Sequence, residues 1–221
     1  LLSLCFCQHC REVAAGFGVG VDALVLAVRK AREPVWAGEV VPGDPPLRLP
    51  ANAQAELDAY VDARTAVVAS LVAEVRESMR SSAVQLSFID HAGAMSHVMA
   101  GTSADDEVTA SSRKLGIDLP AIAAACDEVC VLGYVDTPER LQAMLASYAR
   151  VLGPDTKFSV ALRPLLPDCR SEENLNQKVA AVLDTPAAGL AFYHYAMMPL
   201  NRLDWIRRAL AGEGAESKES S

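Results

Sequence analysis

Three thiols fall within one short stretch near the start of the chain, Cys5-Phe6-Cys7-Gln8-His9-Cys10. A C-x-C-x-x-C spacing lets three thiolates turn toward one point, and zinc takes thiolates at about 2.3 Å in a tetrahedral site. Cys5, Cys7 and Cys10 are therefore candidate ligands of a structural zinc. A fourth ligand is required; His9 is the nearest in sequence, and a cysteine upstream of Leu1 is the alternative. The competing reading is three buried thiols, the ordinary state of free cysteine and the one expected for Cys126 and Cys130. Nothing nearby supplies the open site and general base of a catalytic zinc. Six cysteines in 221 residues are not a secreted disulfide framework. Clustered free thiols lean toward a reducing cytoplasm.

A second set of chemistry-bearing residues recurs at the ends of apolar runs. Asp90 and His91 are a carboxylate–imidazole pair suited to acid/base work or to holding a sugar hydroxyl; the bland alternative is that Asp90 caps the next turn. Tyr134 and Asp136 share one side of an extended segment, although Asp136 is also a natural cap for the helix at Pro138. Arg163 ends an apolar run, where a charge is costly unless it meets a carboxylate or a ligand. Asp168 is the next carboxylate, and the competing reading is a turn residue after Pro167. In Phe192-Tyr193-His194-Tyr195 either His194 or the two tyrosines face one side, and aromatic rings there make a sugar-stacking platform; a core histidine is the alternative. The catalytic candidates are thus Asp90 and Asp168. The substrate-binding candidates are His91, Tyr134, Asp136, Arg163, His194 and Tyr195.

The elements that must position these residues alternate in period. Ala83–Asp90, Glu128–Val135, Lys157–Leu162 and Gly189–Tyr195 are short, nearly continuous apolar runs, the pattern of strands buried in a parallel sheet. Between them lie helical stripes. Leu57, Tyr60, Val61, Val67, Val68, Leu71, Val72, Val75 and Met79 recur at three- and four-residue steps on one long helix. Asp22 is read as the cap of an earlier helix, Thr137 as the cap of one beginning at Pro138, Ser171 as the cap of Glu172–Leu183 and Asn201 as the cap of Leu203–Leu210. Strands separated by helices imply βαβ units, and right-handed crossovers leave an open doubly wound sheet or a (β/α)8 barrel. The polar residues gather at the C-terminal ends of the strands, where barrels carry their sites. The expected fold is α/β: the C-terminal half, strands five to eight, of a (β/α)8 TIM barrel over residues 1–212. Strands one to four would lie upstream of Leu1, and residues 213–221 would form a disordered tail. Gly16-Phe17-Gly18-Val19-Gly20 lies between two helical segments and reads as a loop, not a dinucleotide fingerprint. Pro42 to Pro50 reads as a stiff linker. Residues 92–112 read as a long loop after a strand, either active-site or filler.

Composition narrows the classes. Hydrophobic residues are 51% and charged residues 22%, which is globular and not disordered. The formal charge of −8 without a basic block disfavours nucleic acid and anionic lipid as partners. No apolar run reaches the roughly 18 residues of a membrane span.

Cys5-Phe6-Cys7-Gln8-His9-Cys10-Arg11 resembles the cysteine segment of the zinc-containing β-galactosidases of glycoside hydrolase family 42. The resemblance implies that the segment follows the fourth barrel strand and its acid/base glutamate, and that Cys5, Cys7 and Cys10 join one upstream cysteine on zinc. More of the chain resembles alanine-rich actinobacterial proteins with a glycosidase-related barrel, a likeness that carries fold and not activity. One departure matters. The family's nucleophilic glutamate ends strand seven, whereas Phe158-Ser159-Val160-Ala161-Leu162-Arg163 holds no Glu, and Asp168 is the nearest carboxylate. The leading expectation is a glycoside-hydrolase-like protein acting on carbohydrate. The alternative is a carbohydrate-binding or scaffold barrel that has lost its nucleophile, and a third reading is an open α/β domain unrelated to sugars. The partner expected is a carbohydrate or another small molecule. The two unpaired sheet edges of a half barrel would favour homo-oligomers.

Overall fold

The computed structural model describes residues 4–39, 49–81, 83–92 and 107–212. Among them are four strands and eight α-helices. The chain begins with α1 (Gln8–Gly16), α2 (Val21–Trp36) and α3 (Ala51–Ser78), then β1 (Ser87–Asp90). It continues with α4 (Glu107–Lys114), α5 (Leu119–Ala125), β2 (Glu128–Leu132), α6 (Pro138–Leu152) and β3 (Phe158–Leu162). It ends with α7 (Glu172–Leu183), β4 (Gly189–Phe192), a 3-10 turn (Tyr195–Met197) and α8 (Leu200–Ala211).

Two of the four expected helix caps hold. The Thr137 hydroxyl accepts from the Arg140 amide, with Pro138 opening α6, and the Ser171 hydroxyl accepts from the Asn174 amide. Each satisfies one of the donors that a helix start leaves unpaired. Asp22 and Asn201 are not caps. The helices start a residue or more earlier, after Gly20 and Pro199, so both residues lie in the first turn. Asp22 instead meets Arg11 of α1 at 2.5 Å. Residues 92–112 are not simply a loop, since α4 occupies Glu107–Lys114; residues 93–106 lie outside the described residues. So do most of the Pro42–Pro50 linker and the tail at 213–221. Pro50 itself is the N-cap of α3.

The sheet runs β1-β2-β3-β4, and every neighbouring pair is parallel. Parallel neighbours need long crossovers, which are right-handed and so place their helices on the same face when the strands follow in sequence. The burial agrees. Val129, Val131, Phe158, Val160 and Leu162 pack into one core with Leu141, Leu145 and Tyr148 of α6 and Leu175, Val179 and Val182 of α7. Each such side chain contributes about 1.5–3 kcal/mol relative to exposure. On the opposite face Ile89 and Ala191 are exposed, and Cys130, Leu132 and Ser159 are half-buried. A second, smaller core joins α1, α2 and α3 through Ala14, Leu24, Val28 and Tyr60. The fold is therefore α/β with a four-stranded parallel sheet.

Arg76 of α3 ties the two regions together. Its guanidinium donates to both oxygens of Asp127, at 2.8 and 2.6 Å, and the Leu86 amide donates to the same carboxylate at 2.7 Å. The Arg76 hydrogen bonds, aided by that amide, hold the Asp127 carboxyl below its ordinary 3.8. The folded state therefore binds this proton less readily than the unfolded chain. The pair's contribution to stability is present above that ordinary value and is lost as pH falls through the folded one. Thermal unfolding between about pH 5 and pH 3 is expected to fall more steeply for the wild type than for Asp127→Asn. Parallel slopes would remove Asp127 as a source of acid lability.

Candidate functional site

The thiol cluster sits where the chain enters α1. Cys7 is the N-cap residue, Cys5 precedes it, and Cys10 lies in the first turn. Cys5 and Cys7 are exposed and Cys10 is half-buried. The three sulfurs all lie within 4.8 Å of one another, and the Cys7 thiol donates to Cys10 Sγ at 3.5 Å. The segment is held from α3: Tyr60 Oη donates to the Cys5 carbonyl, and its ring lies 5.2 Å from that of Phe6. The helix-start amide of Cys10, followed by the Cys10 and Cys5 thiols, holds Cys7 below the usual thiol value. Burial, reinforced by the neighbouring sulfurs, pushes Cys10 up to about 11. Among the described residues the cluster is Cys5, Cys7 and Cys10. His9 does not join it and lines the groove between α1 and α3. Three convergent thiols are a donor set that can hold a metal ion.

The strand-end cluster is built from segments that follow β2, β3 and β4. Gly133 follows β2 in a tight place, where an added Cβ would stand 3.0 Å from the side chains of Leu141 and Leu162. The chain then presents Tyr134. Arg163, just past β3, lies with its guanidinium 4.7 Å above the Tyr134 ring, and its Nε donates to Asp168 Oδ2 at 2.5 Å. Tyr193, just past β4, stacks beside Tyr134 with centroids 6.1 Å apart and planes 24° apart. The His194 ring meets the edge of Tyr193 at 4.6 Å. Burial pushes the Tyr134 phenol up to about 12, so it remains a neutral donor. Tyr193 is 51% exposed, which leaves its ring open to a ligand.

The predicted site residues divide. Tyr134, Arg163, Asp168 and His194 come together. Asp90 does not join them; it is fully buried, and its two oxygens accept from the Ala92 amide at 3.1 Å and from Tyr148 Oη at 2.6 Å. That is the turn-capping reading, extended by a bond into α6. His91 is exposed next to it. Asp136 accepts from Arg140 at 3.2 Å, and its carbonyl accepts from Asn174 at 3.0 Å, so it serves the start of α6. Tyr195 is 71% exposed on the 3-10 turn and takes no part in the ring contacts of Tyr134, Tyr193 and His194. The expected alternation from 189 to 195 stops because β4 ends at Phe192. Cys126 and Cys130 are half-buried, not buried; Cys169 is the buried thiol.

Tyr193, one of the two tyrosines weighed against His194, joins the cluster together with His194, because β4 stops at Phe192. One residue of this region was not anticipated. Lys178 is 2% exposed, and its ammonium donates to the Val135 carbonyl at 2.5 Å and to the Asp168 carbonyl. It pins the segments after β2 and β3 to α7. Its only sequence signal was a lysine on the apolar stripe of α7, beside Leu175, Val179 and Val182.

The chain matches no family model, no curated protein and no solved structure. Roles therefore rest on the geometry. No described helix is long and apolar enough to cross a membrane. Asp168, at 3% exposure, is already paired with Arg163, and Asp90 is buried elsewhere. Tyr134 and Tyr193 present aromatic surface beside the Arg163 guanidinium, and aromatic faces with guanidinium donors are groups that can hold a ligand.

Proposed function

We propose that the strand-end cluster binds carbohydrate without hydrolysing it, and that the sheet is strands five to eight of a barrel-type fold. The observation that carries the binding reading is the Tyr134–Tyr193 pair backed by Arg163, with Asp168 neutralised in the ion pair. Sugar rings present apolar C–H faces that pack on such aromatic surfaces, while their hydroxyls need donors at the rim. Hydrolysis instead needs two free carboxylates flanking the bond. The barrel reading is supported by sequential, all-parallel strand order with the core helices on one face, since a doubly wound sheet reverses its strand order. The thiol trio fits a structural zinc, which Cys5, Cys7 and Cys10 would hold as thiolates, locking the start of α1.

The test uses the full chain against neutral mono- and oligosaccharides by calorimetry, with aryl glycosides as turnover substrates. Saturable binding is expected, with no aglycone release. Tyr193→Ala is expected to weaken it about tenfold, the loss of one stacking contact, while the half-exposed ring's contacts with Tyr134 and His194 cost only about 0.5–1.5 kcal/mol each of stability, so the variant stays folded. Turnover abolished by Asp168→Asn would restore the hydrolase reading. Absence of binding to every sugar would sink the carbohydrate reading.

A further inference from the structure

Cys7 and Cys10 make a C-x-x-C pair across the N-cap and first turn of α1, with sulfurs 3.5 Å apart. Closing them to a disulfide of about 2.05 Å needs a shift of about 1.5 Å. The two thiols differ in access: Cys7 is exposed, and Cys10 is half-buried behind it. An accessible sulfur at a helix start with a shielded partner three residues on is the arrangement that thiol–disulfide exchange uses. Beside Cys10 a cavity of about 160 Å³ opens between α1 and α3. Its walls are apolar, from Val13, Val67 and Val68, and Arg64 stands among them. Among the described residues Arg64 makes no hydrogen bond or ion pair, so its guanidinium is available to a carboxylate.

We propose that Cys7 and Cys10 are a redox-active dithiol that reduces small carboxylate-bearing disulfides of the glutathione class, with Cys7 attacking, Cys10 resolving and Arg64 holding the carboxylate. The Cys7 thiolate attacks one sulfur of the small disulfide. The small molecule's S–S bond breaks, and its first half leaves as a thiolate that takes up a proton. Cys10 then gives up its proton and attacks the Cys7 sulfur. The mixed disulfide breaks, and the second half leaves as a thiol. The net change is protein dithiol plus small disulfide to protein disulfide plus two small thiols, with two electrons passing to the small disulfide. A metal on the trio would occupy the same sulfurs, so metal-bound and redox-competent protein are exclusive states.

The experiment treats the full chain, after chelation, with glutathione disulfide, then acid-quenches, alkylates and maps the peptides by mass. The expected product has lost two hydrogens as a Cys7–Cys10 bond and released two glutathione molecules. Cys10→Ser is expected to stop with one glutathionyl group on Cys7, and Cys7→Ser to slow the reaction at least about tenfold. Arg64→Ala is expected to slow glutathione disulfide about tenfold and leave a neutral hydroxyethyl disulfide unaffected. Glutathionyl groups spread over Cys5, Cys7 and Cys10, or a bond to Cys5, overturns the dithiol. Equal slowing of both disulfides by Arg64→Ala overturns the carboxylate anchor. A chain that binds zinc yet forms no Cys7–Cys10 bond when chelated refutes this inference and leaves the metal reading intact. The converse result separates the two in the other direction.

Discussion

Lys178→Met is expected to lower the unfolding free energy by about 3 kcal/mol, because two buried carbonyls lose their donor at once. The ammonium meets the Val135 and Asp168 carbonyls with almost no access to water. An orphaned buried acceptor costs about 1–3 kcal/mol. Methionine nearly fills the volume, and it removes the penalty of burying a charge, which offsets part of the loss. The same change reaches the strand-end site. Val135 adjoins Tyr134, and Asp168 orients Arg163, so under the proposed carbohydrate-binding role sugar affinity should fall even where the variant is still folded. Urea unfolding and calorimetry on one sample separate the two effects. A loss below about 1 kcal/mol would show that α7 does not pin these loops.

The pH dependence of this residue has a definite sign. Burial pulls Lys178 below its ordinary 10.5, so the folded protein loses this proton at a lower pH than the unfolded chain. In the window below 10.5 the unfolded state binds more protons. Stability contributed at this position therefore rises with pH across that window and levels off above it. The difference between wild type and Lys178→Met should widen with pH there, since other titrations are shared.

Sequence-local features were legible and tertiary ones were not. Thr137 and Ser171 were readable as caps because a cap bonds an amide three residues on. The Cys5, Cys7 and Cys10 convergence was readable because one N-cap and one helical turn bring them together. The parallel sheet was readable from apolar runs separated by helical stripes. Strand ends were read too long at Val135 and Tyr195, because aromatic and β-branched residues continue past the last ladder bond. The Asp90–Tyr148 bond joins residues 58 positions apart, and Lys178 to Val135 spans 43. Neither separation leaves a local pattern, so a buried structural carboxylate and a catalytic candidate looked alike in the sequence. Asp168 was found as a carboxylate near the site, but only the five-residue return to Arg163 shows that it is already neutralised.

Zinc is expected to stabilise the chain by about 4 kcal/mol when free metal exceeds the dissociation constant a thousandfold, provided it binds only the folded state. The three sulfurs lie within 4.8 Å of one another before any metal arrives. Little rearrangement is then needed to reach the roughly 2.3 Å bonds of a zinc thiolate. The stabilisation should be local to α1, α2 and α3, because Cys5 is held by Tyr60 and Cys10 packs in that smaller core. Thiols must shed protons to become ligands, so affinity should fall as pH falls. The check is a melt with and without added zinc, alongside cobalt titration, whose thiolate charge-transfer absorption counts sulfur ligands. Cys5→Ser, Cys7→Ser and Cys10→Ser should each remove most of the zinc-dependent shift, while Cys130→Ser, on the open face of the sheet, should leave it whole. A shift that survives all three serine changes would place the metal elsewhere. The absence of any shift would leave the three sulfurs to thiol chemistry alone.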